Sequence, residues 1–290
     1  MVPSKEQLSR IFTSFLNQAP PGEYNVIFDD LRGLHNDEEV LKEQANTTLV
    51  EFNHNNFELV QHPDMNKTIV SKFNVVTAPS RFAEYIEPNS NKRFSYDHLG
   101  RVVTNISENT EKYDPQHSAW RAALQKELDV YIANHYLKHG VGAVFIYEGK
   151  MVLCIGSHKY QKRNCYNGRW ASYWTIPAFS TERVTHSVVG HINLLTHYFE
   201  DGNVQLKLEK DITLNVAYPT EMEAAAKMVL KSITEAETAY AVNAQEKLTH
   251  FSDQTFKSLR RPLPITRTKM DWQKVHSYRL SKKMTNPSEN

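Results

Sequence analysis

Thirteen histidines and two cysteines are the side chains of this 290-residue chain best suited to bind a metal or to act as acid, base or nucleophile. His135 and His139 stand four apart, which puts both imidazoles on one face of a helix. A zinc-hydrolase helix also needs a Glu directly after the first His, and Tyr136 occupies that position. Cys154, His158 and Cys165 lack zinc-finger spacing and an evident fourth ligand. No GxSxG nucleophile turn, GxGxxG fingerprint or glycine-rich phosphate loop occurs. Adjacent carboxylates such as Glu38 and Glu39 read as a solvated helix face. The residues therefore support neither an enzyme nor a cofactor. Trp170, Tyr173 and Trp174 could stack on a base or a sugar, but aromatics in strands more often fill cores.

The chemistry that stands out is charge. From Phe256 to Trp272 the chain reads FKSLRRPLPITRTKMDW. Between Lys257 and Lys283 lie nine Lys or Arg opposed only by Asp271, a local charge of +8. The whole chain carries +1, which leaves −7 on the rest. Leu259, Leu263, Ile265, Met270, Trp272, Val275, Tyr278 and Leu280 interleave with the cations. A purely solvating tail has little use for them. Such a segment suits an acidic surface, whether protein, lipid head groups or nucleic acid.

The elements that would carry this segment follow from hydrophobic period. Ser4 to Gln7 form a capping-box pattern, and Leu8, Ile11, Phe12, Phe15 and Leu16 follow at helical spacing. Pro20-Pro21-Gly22 breaks that helix. A second helix is expected from about Glu23 to Leu34, and a third from near Asp37 through Phe52. Together these make an antiparallel three-helix bundle over 1–56. Residues 57–113 read as a small β or irregular region, with strands at Phe57–Val60, Thr68–Val70 and Arg101–Val103. Over 114–218 a helix capped by Asp114-Pro115 and ending by Gly140 precedes an antiparallel sheet. Its strands are expected at Gly142–Tyr147, Met151–Ile155 and Arg169–Ile176, and in a hairpin between Val184 and Val216 turning at Asp201-Gly202. Apolar residues on even positions give that hairpin one buried face. Over 219–259 Thr220-Glu221-Met222-Glu223 caps a long helix. Its seam of Met222, Ala226, Val229, Ile233, Ala236 and Tyr240 suits packing across the sheet or on a partner subunit. Pro262 and Pro264 end it, and 260–290 form the basic tail.

No apolar run is long enough to span a membrane, and the N-terminus lacks an apolar signal core. A cytosolic or nuclear protein is expected, with both cysteines as thiols. The sequons at Asn46, Asn66 and Asn105 then read as chance matches.

The segment 256–272 resembles the C-terminal motif of the F-actin-capping protein α-subunit (CapZ α) family. A second motif of that family is matched by His197-Tyr198-Phe199-Glu200-Asp201-Gly202-Asn203-Val204. Thr196 and Met270 depart from the family pattern without removing a charge. The resemblance implies an α+β fold in which the long helix covers a central antiparallel sheet and a basic amphipathic tentacle follows. It implies an obligate heterodimer with a β subunit. That dimer would bind actin-filament barbed ends independently of calcium and block subunit exchange without severing. Carried onto this chain, actin is contacted by Lys257, Arg260, Arg261, Arg267 and Lys269, with Trp272 and Val275 as apolar anchors. Phosphatidylinositol bisphosphate would use Lys257, Arg260, Arg261 and Arg267. Myotrophin and CARMIL-type motif proteins are the other regulators implied. Cytoplasm and cytoskeleton are the implied location, with no nucleic acid expected. An adaptor binding phosphoinositide or nucleic acid through the same cations is the alternative reading.

Overall fold

A computed structural model describes residues 5–34, 48–78, 80–136, 139–161, 163, 165–180, 185–199 and 204–251. The chain divides into two compact units, Met1–Glu237 and Thr238–Asn290. The second is described only over Thr238–Phe251, where it continues a helix that begins in the first.

Lys5–Asn17 (α1) and Tyr24–Leu34 (α2) form where the apolar spacing places them, separated by the two prolines. Residues 48–56 (α3) are also helical. Phe12, Leu16, Tyr24, Leu31, Leu49 and Phe52 bury against one another. At about 1.5–3 kcal/mol per buried side chain, these contacts hold the three helices together. The Ser4 cap and the Asp37 start lie outside the described residues.

Glu58–His62 (β1) pairs with Met65–Val70 (β2). Phe82–Glu87 (β3), Lys92–Asp97 (β4) and Val102–Glu108 (β5) make a three-stranded antiparallel sheet in that order. The three expected strands are present, while β3 and β4 carry no clear period in the sequence. Tyr85, Phe94 and Tyr96 nevertheless bury on one cluster. A buried polar chain joins α3 to this sheet. His54 Nε2 lies 2.7 Å from the Tyr85 hydroxyl, which lies 2.8 Å from His98 Nε2. His98 Nδ1 meets the Asn53 side-chain amide at 3.0 Å. Burial lowers both imidazoles to about 4, so they are neutral at pH 7.

Asp114 caps Pro115–His135 (α4), its carboxylate accepting from the Gln116 and His117 amides. The helix ends at His135 rather than running to Gly140, because Gly140 already opens a strand. Gly140–Tyr147 (β6), Lys150–Gln161 (β7), Tyr166–Ile176 (β8), Thr185–Tyr198 (β9) and Val204–Ala217 (β10) form a five-stranded antiparallel sheet with neighbours in chain order. Glu148 and Gly149 turn β6 into β7 with φ of 50° and 73°, the positive angles a two-residue hairpin needs. The expected last hairpin is present, with fourteen residue pairs from Val204↔Tyr198 to Ala217↔Thr185. Its Asp201-Gly202 turn and Val184 lie outside the described residues. Met222–Phe251 (α5) follows.

The chain is thus α+β, with N-terminal helices, antiparallel sheets and a long C-terminal helix whose Met222–Glu237 part packs on the five-stranded sheet. Alternation sorts β8 between two faces. Ser172 and Trp174 point toward α5, while Ala171 and Tyr173 pack with Phe57 and Phe73 on the other side. Trp174 is fully buried and pairs in register with Gly190 on β9. A Cβ at Gly190 would come 2.2 Å from the Trp174 ring, so only glycine lets the indole lie across its neighbour strand. Gly190→Ala is therefore expected to destabilise the protein by about 1–3 kcal/mol through overpacking. A shift of the urea midpoint to lower denaturant would register it; an unmoved midpoint would mean the indole has room to yield.

Candidate functional site

The face of the sheet that carries α5 is organised around one acid. Glu237 is only 2 % exposed, and its carboxylate accepts four hydrogen bonds. Ser172 Oγ at 2.5 Å and Trp174 Nε1 at 2.9 Å reach Oε1. The Tyr131 and Tyr136 hydroxyls reach Oε2 at 2.7 and 3.0 Å. Trp170 Nε1 extends the chain by donating to Ser172 Oγ at 3.2 Å. One side chain thus ties α5 to β8 and to the C-terminal end of α4. All four donors are neutral. Burial raises the Glu237 pKa, and the four hydrogen bonds oppose that rise only in part. Burial and the adjacent carboxylate also push both tyrosines up.

The heptad seam led to Ala236 and missed Glu237. Ala226, Val229 and Ile233 of the expected seam are buried, as are Ala225, Leu230 and Ala244, and Glu237 follows Ile233 by four on the same stripe. A Glu four residues after the buried Ile233 is the signal, since an acid on an apolar stripe requires partners.

The sheet ends at β10. Among the described residues no strand pairs with its outer side. Along its fourteen residues every second one therefore turns its amide and carbonyl outward, on an edge that is open among the described residues. On the α5 face of this strand Leu206, Leu208, Ile212 and Leu214 are half-buried, and Gln205, Lys207, Glu209 and Asp211 are exposed on the other. The opposite face of the sheet borders a cleft of about 650 Å³ lined by Lys72, Tyr173, His191 and Asn193. Lys72 Nζ sits 5.2 and 5.4 Å from the Phe73 and Tyr173 ring centres. Asp211 pairs with His191 at 2.7 Å.

Lys257, Arg260, Arg261, Arg267, Lys269, Trp272 and Val275 all lie outside the described residues, as do Pro262 and Pro264. Among the described residues no three His, Cys, Asp or Glu gather as a metal site. Cys154 is buried in the core, where burial pushes its thiol up. Trp174 and Tyr173 pack on opposite faces of the sheet, which accounts for them without a stacked ligand.

Residues 12–283 match the model of a family described as F-actin capping protein alpha subunit. The chain is 37 % identical over 276 residues to the Caenorhabditis elegans F-actin-capping protein subunit alpha, covering 95 % of this chain and 96 % of the relative. It is 32 % identical over 287 residues to the Dictyostelium discoideum subunit, covering 97 % and 99 %. In fold it resembles a homodimeric actin capping protein alpha subunit from Plasmodium berghei, with TM-score 0.76 and 20 % identity over 90 % of this chain and 98 % of that one.

Glu237 yields a signed pH prediction. Its folded pKa lies above the unfolded carboxylate value, so the native state binds the proton more tightly. The stability this confers is fully present below the unfolded pKa and is lost as pH rises through the raised folded one. Glu237→Gln stays neutral throughout, so its stability relative to wild type should climb with pH across that window. Glu237→Leu strands four buried donors at about 1–3 kcal/mol each and should cost several kcal/mol at every pH. Urea unfolding at a series of pH values checks both; a Gln variant that tracks wild type at constant offset would refute the buried titration.

Proposed function

The chain belongs to the F-actin capping protein alpha subunit family, and from that premise we propose how it meets its two partners. As such an α subunit it binds barbed ends of actin filaments, and the family is non-enzymatic. The family implies a β subunit as well as actin. Among the described residues no helix is long and apolar enough to cross a membrane.

The β subunit adds to the β10 edge. What supports this reading is the long outer side of that strand, open among the described residues, together with the half-buried leucines and isoleucine beside it on the α5 face. A second chain could satisfy the open row of main-chain groups and cover the apolar row in one step. The carrying observation for filament binding is the charge of 257–283, which falls inside the family match. The basic amphipathic tentacle over 260–290 acts as a latch. Lys257, Arg260, Arg261, Arg267 and Lys269 pair with acidic groups of the filament end, and Trp272 and Val275 anchor it. Blocking subunit exchange without severing needs only a contact that dissociates slowly. Several charge-assisted hydrogen bonds of about 1.5–3 kcal/mol supply such a contact. Lys257, Arg260, Arg261 and Arg267 also suit the phosphates of phosphatidylinositol bisphosphate, which would then compete with actin.

Arg260→Ala with Arg261→Ala should leave the complex with the β subunit intact and weaken capping roughly a hundredfold or more, the loss of two charged contacts. Barbed-end elongation from filament seeds reads this, and wild-type capping should itself weaken with salt. Undiminished capping by the double variant would remove these arginines from the contact. Leu208→Asp should instead reduce co-purification of the β subunit. A gel shift with DNA or RNA at physiological salt should be negative; a positive one would favour the nucleic-acid reading.

A further inference from the structure

The five-stranded sheet has two edges, and they are built differently. β10 is open. β6 is the other edge, and its main chain is already engaged by a side chain. Gln125, on α4 and only 6 % exposed, turns its amide onto that edge. Its Oε1 accepts from the Val144 amide at 2.9 Å, and its Nε2 donates to the Gly142 carbonyl at 3.3 Å. These are the two groups through which a neighbouring strand would join β6 at this point. Asp129, one turn further along α4, takes the second Nε2 proton at 2.7 Å and so fixes which way the amide faces.

Gln125 reaches the edge because α4 sits close to β6. A Cβ at Gly142 would stand 2.9 Å from the Leu128 and Ile132 side chains. Beside the edge runs a groove of about 700 Å³ lined by Lys67, Arg121, Lys126 and Asp129. Arg121 donates to the neutral Asn89 Oδ1 at 2.9 Å, and Lys126 lies 3.6 Å from Glu223. Cations beside a strand edge further discourage another strand from docking.

We propose that Gln125 seals the β6 edge against strand addition, so that the sheet can be extended only at β10. The side-chain amide stands in for one residue of an absent strand, and that suffices because the neighbouring helix and cations limit access to the rest. Gln125 is thus a specificity-determining residue for assembly. The β10 interface proposed above enters only through the choice of test complex.

Two measurements on the complex with the β subunit test it. The first uses the wild-type protein and residue-resolved amide hydrogen exchange. By the alternation of an antiparallel strand, the Val144 and Ile146 amides both face the outer edge, but only Val144 has the Gln125 acceptor. The Val144 amide should exchange ~tenfold or more slowly than that of Ile146, the mark of a held hydrogen bond. Equal rates would overturn the proposal. The second is light scattering of Gln125→Leu, which keeps the bulk and removes both hydrogen bonds. The wild-type complex should keep one mass at all concentrations, whereas the variant's mass should double as concentration rises. A variant that folds, elutes as one complex and never associates would overturn the proposal. Should the leucine variant fail to fold, the wild-type exchange ratio decides alone. A β subunit attached elsewhere would alter the Leu208→Asp result and leave the Val144 ratio as it is, so the two readings fail separately.

Discussion

A carboxylate sunk between a helix and a sheet is the constraint on which this protein is built. Taking an ionised acid out of water costs several kcal/mol even after relaxation. Glu237 is tolerated only where Tyr131, Tyr136, Ser172 and Trp174 converge on it. Apolar contacts between α5 and the sheet would accept a helix shifted by a turn or rotated by some tens of degrees. Four hydrogen bonds to two oxygens accept one arrangement. The acid ties Met222–Glu237 to β8 and ties the end of α4 to both. The indole of Trp174 takes part because Gly190 leaves it room. A glycine on one strand thus supports a hydrogen bond made from the next.

The same face of the sheet ends in two unlike borders. At β6 an amide from α4 occupies the main-chain groups, with cations beside it. At β10, among the described residues, the main chain is open and its neighbouring apolar row is only half covered. An isolated chain with such an edge invites any strand to join it. A chain destined for one partner gains from having a single open edge, because the choice of partner then becomes a choice of side chains along one strand.

Periodic features were the ones that sequence reasoning could reach. Asp114-Pro115 announces α4 because a carboxylate before a proline has one obvious use, and the observed cap uses it. The even-position apolar residues of β9 and β10 fix both their pairing and their buried face. What escaped was carried by non-periodic polar residues. β3 and β4 hold Glu84, Glu87, Lys92 and Arg93, which resemble a solvated loop until Tyr85, Phe94 and Tyr96 are seen to share a cluster. Glu87 is itself buried and caps the turn after β3 through the Asn89 and Ser90 amides. Glu237 stands out only as an acid on an apolar stripe, Gln125 looks like an ordinary surface residue, and the partners of both appear only in the third dimension. The basic tail lies outside the described residues, so its proposed role rests on the nine cations of the sequence alone.

The division of labour between a fixed platform and a charged latch is tested most directly by ending the chain after Leu259 and co-expressing it with a β subunit. The quantity to measure is barbed-end elongation in the presence of the purified complex. A complex of normal mass that lets filaments grow close to the uncapped rate is the result this account requires. A truncated complex that still halts growth at the wild-type concentration would place the filament contact on the platform and contradict it.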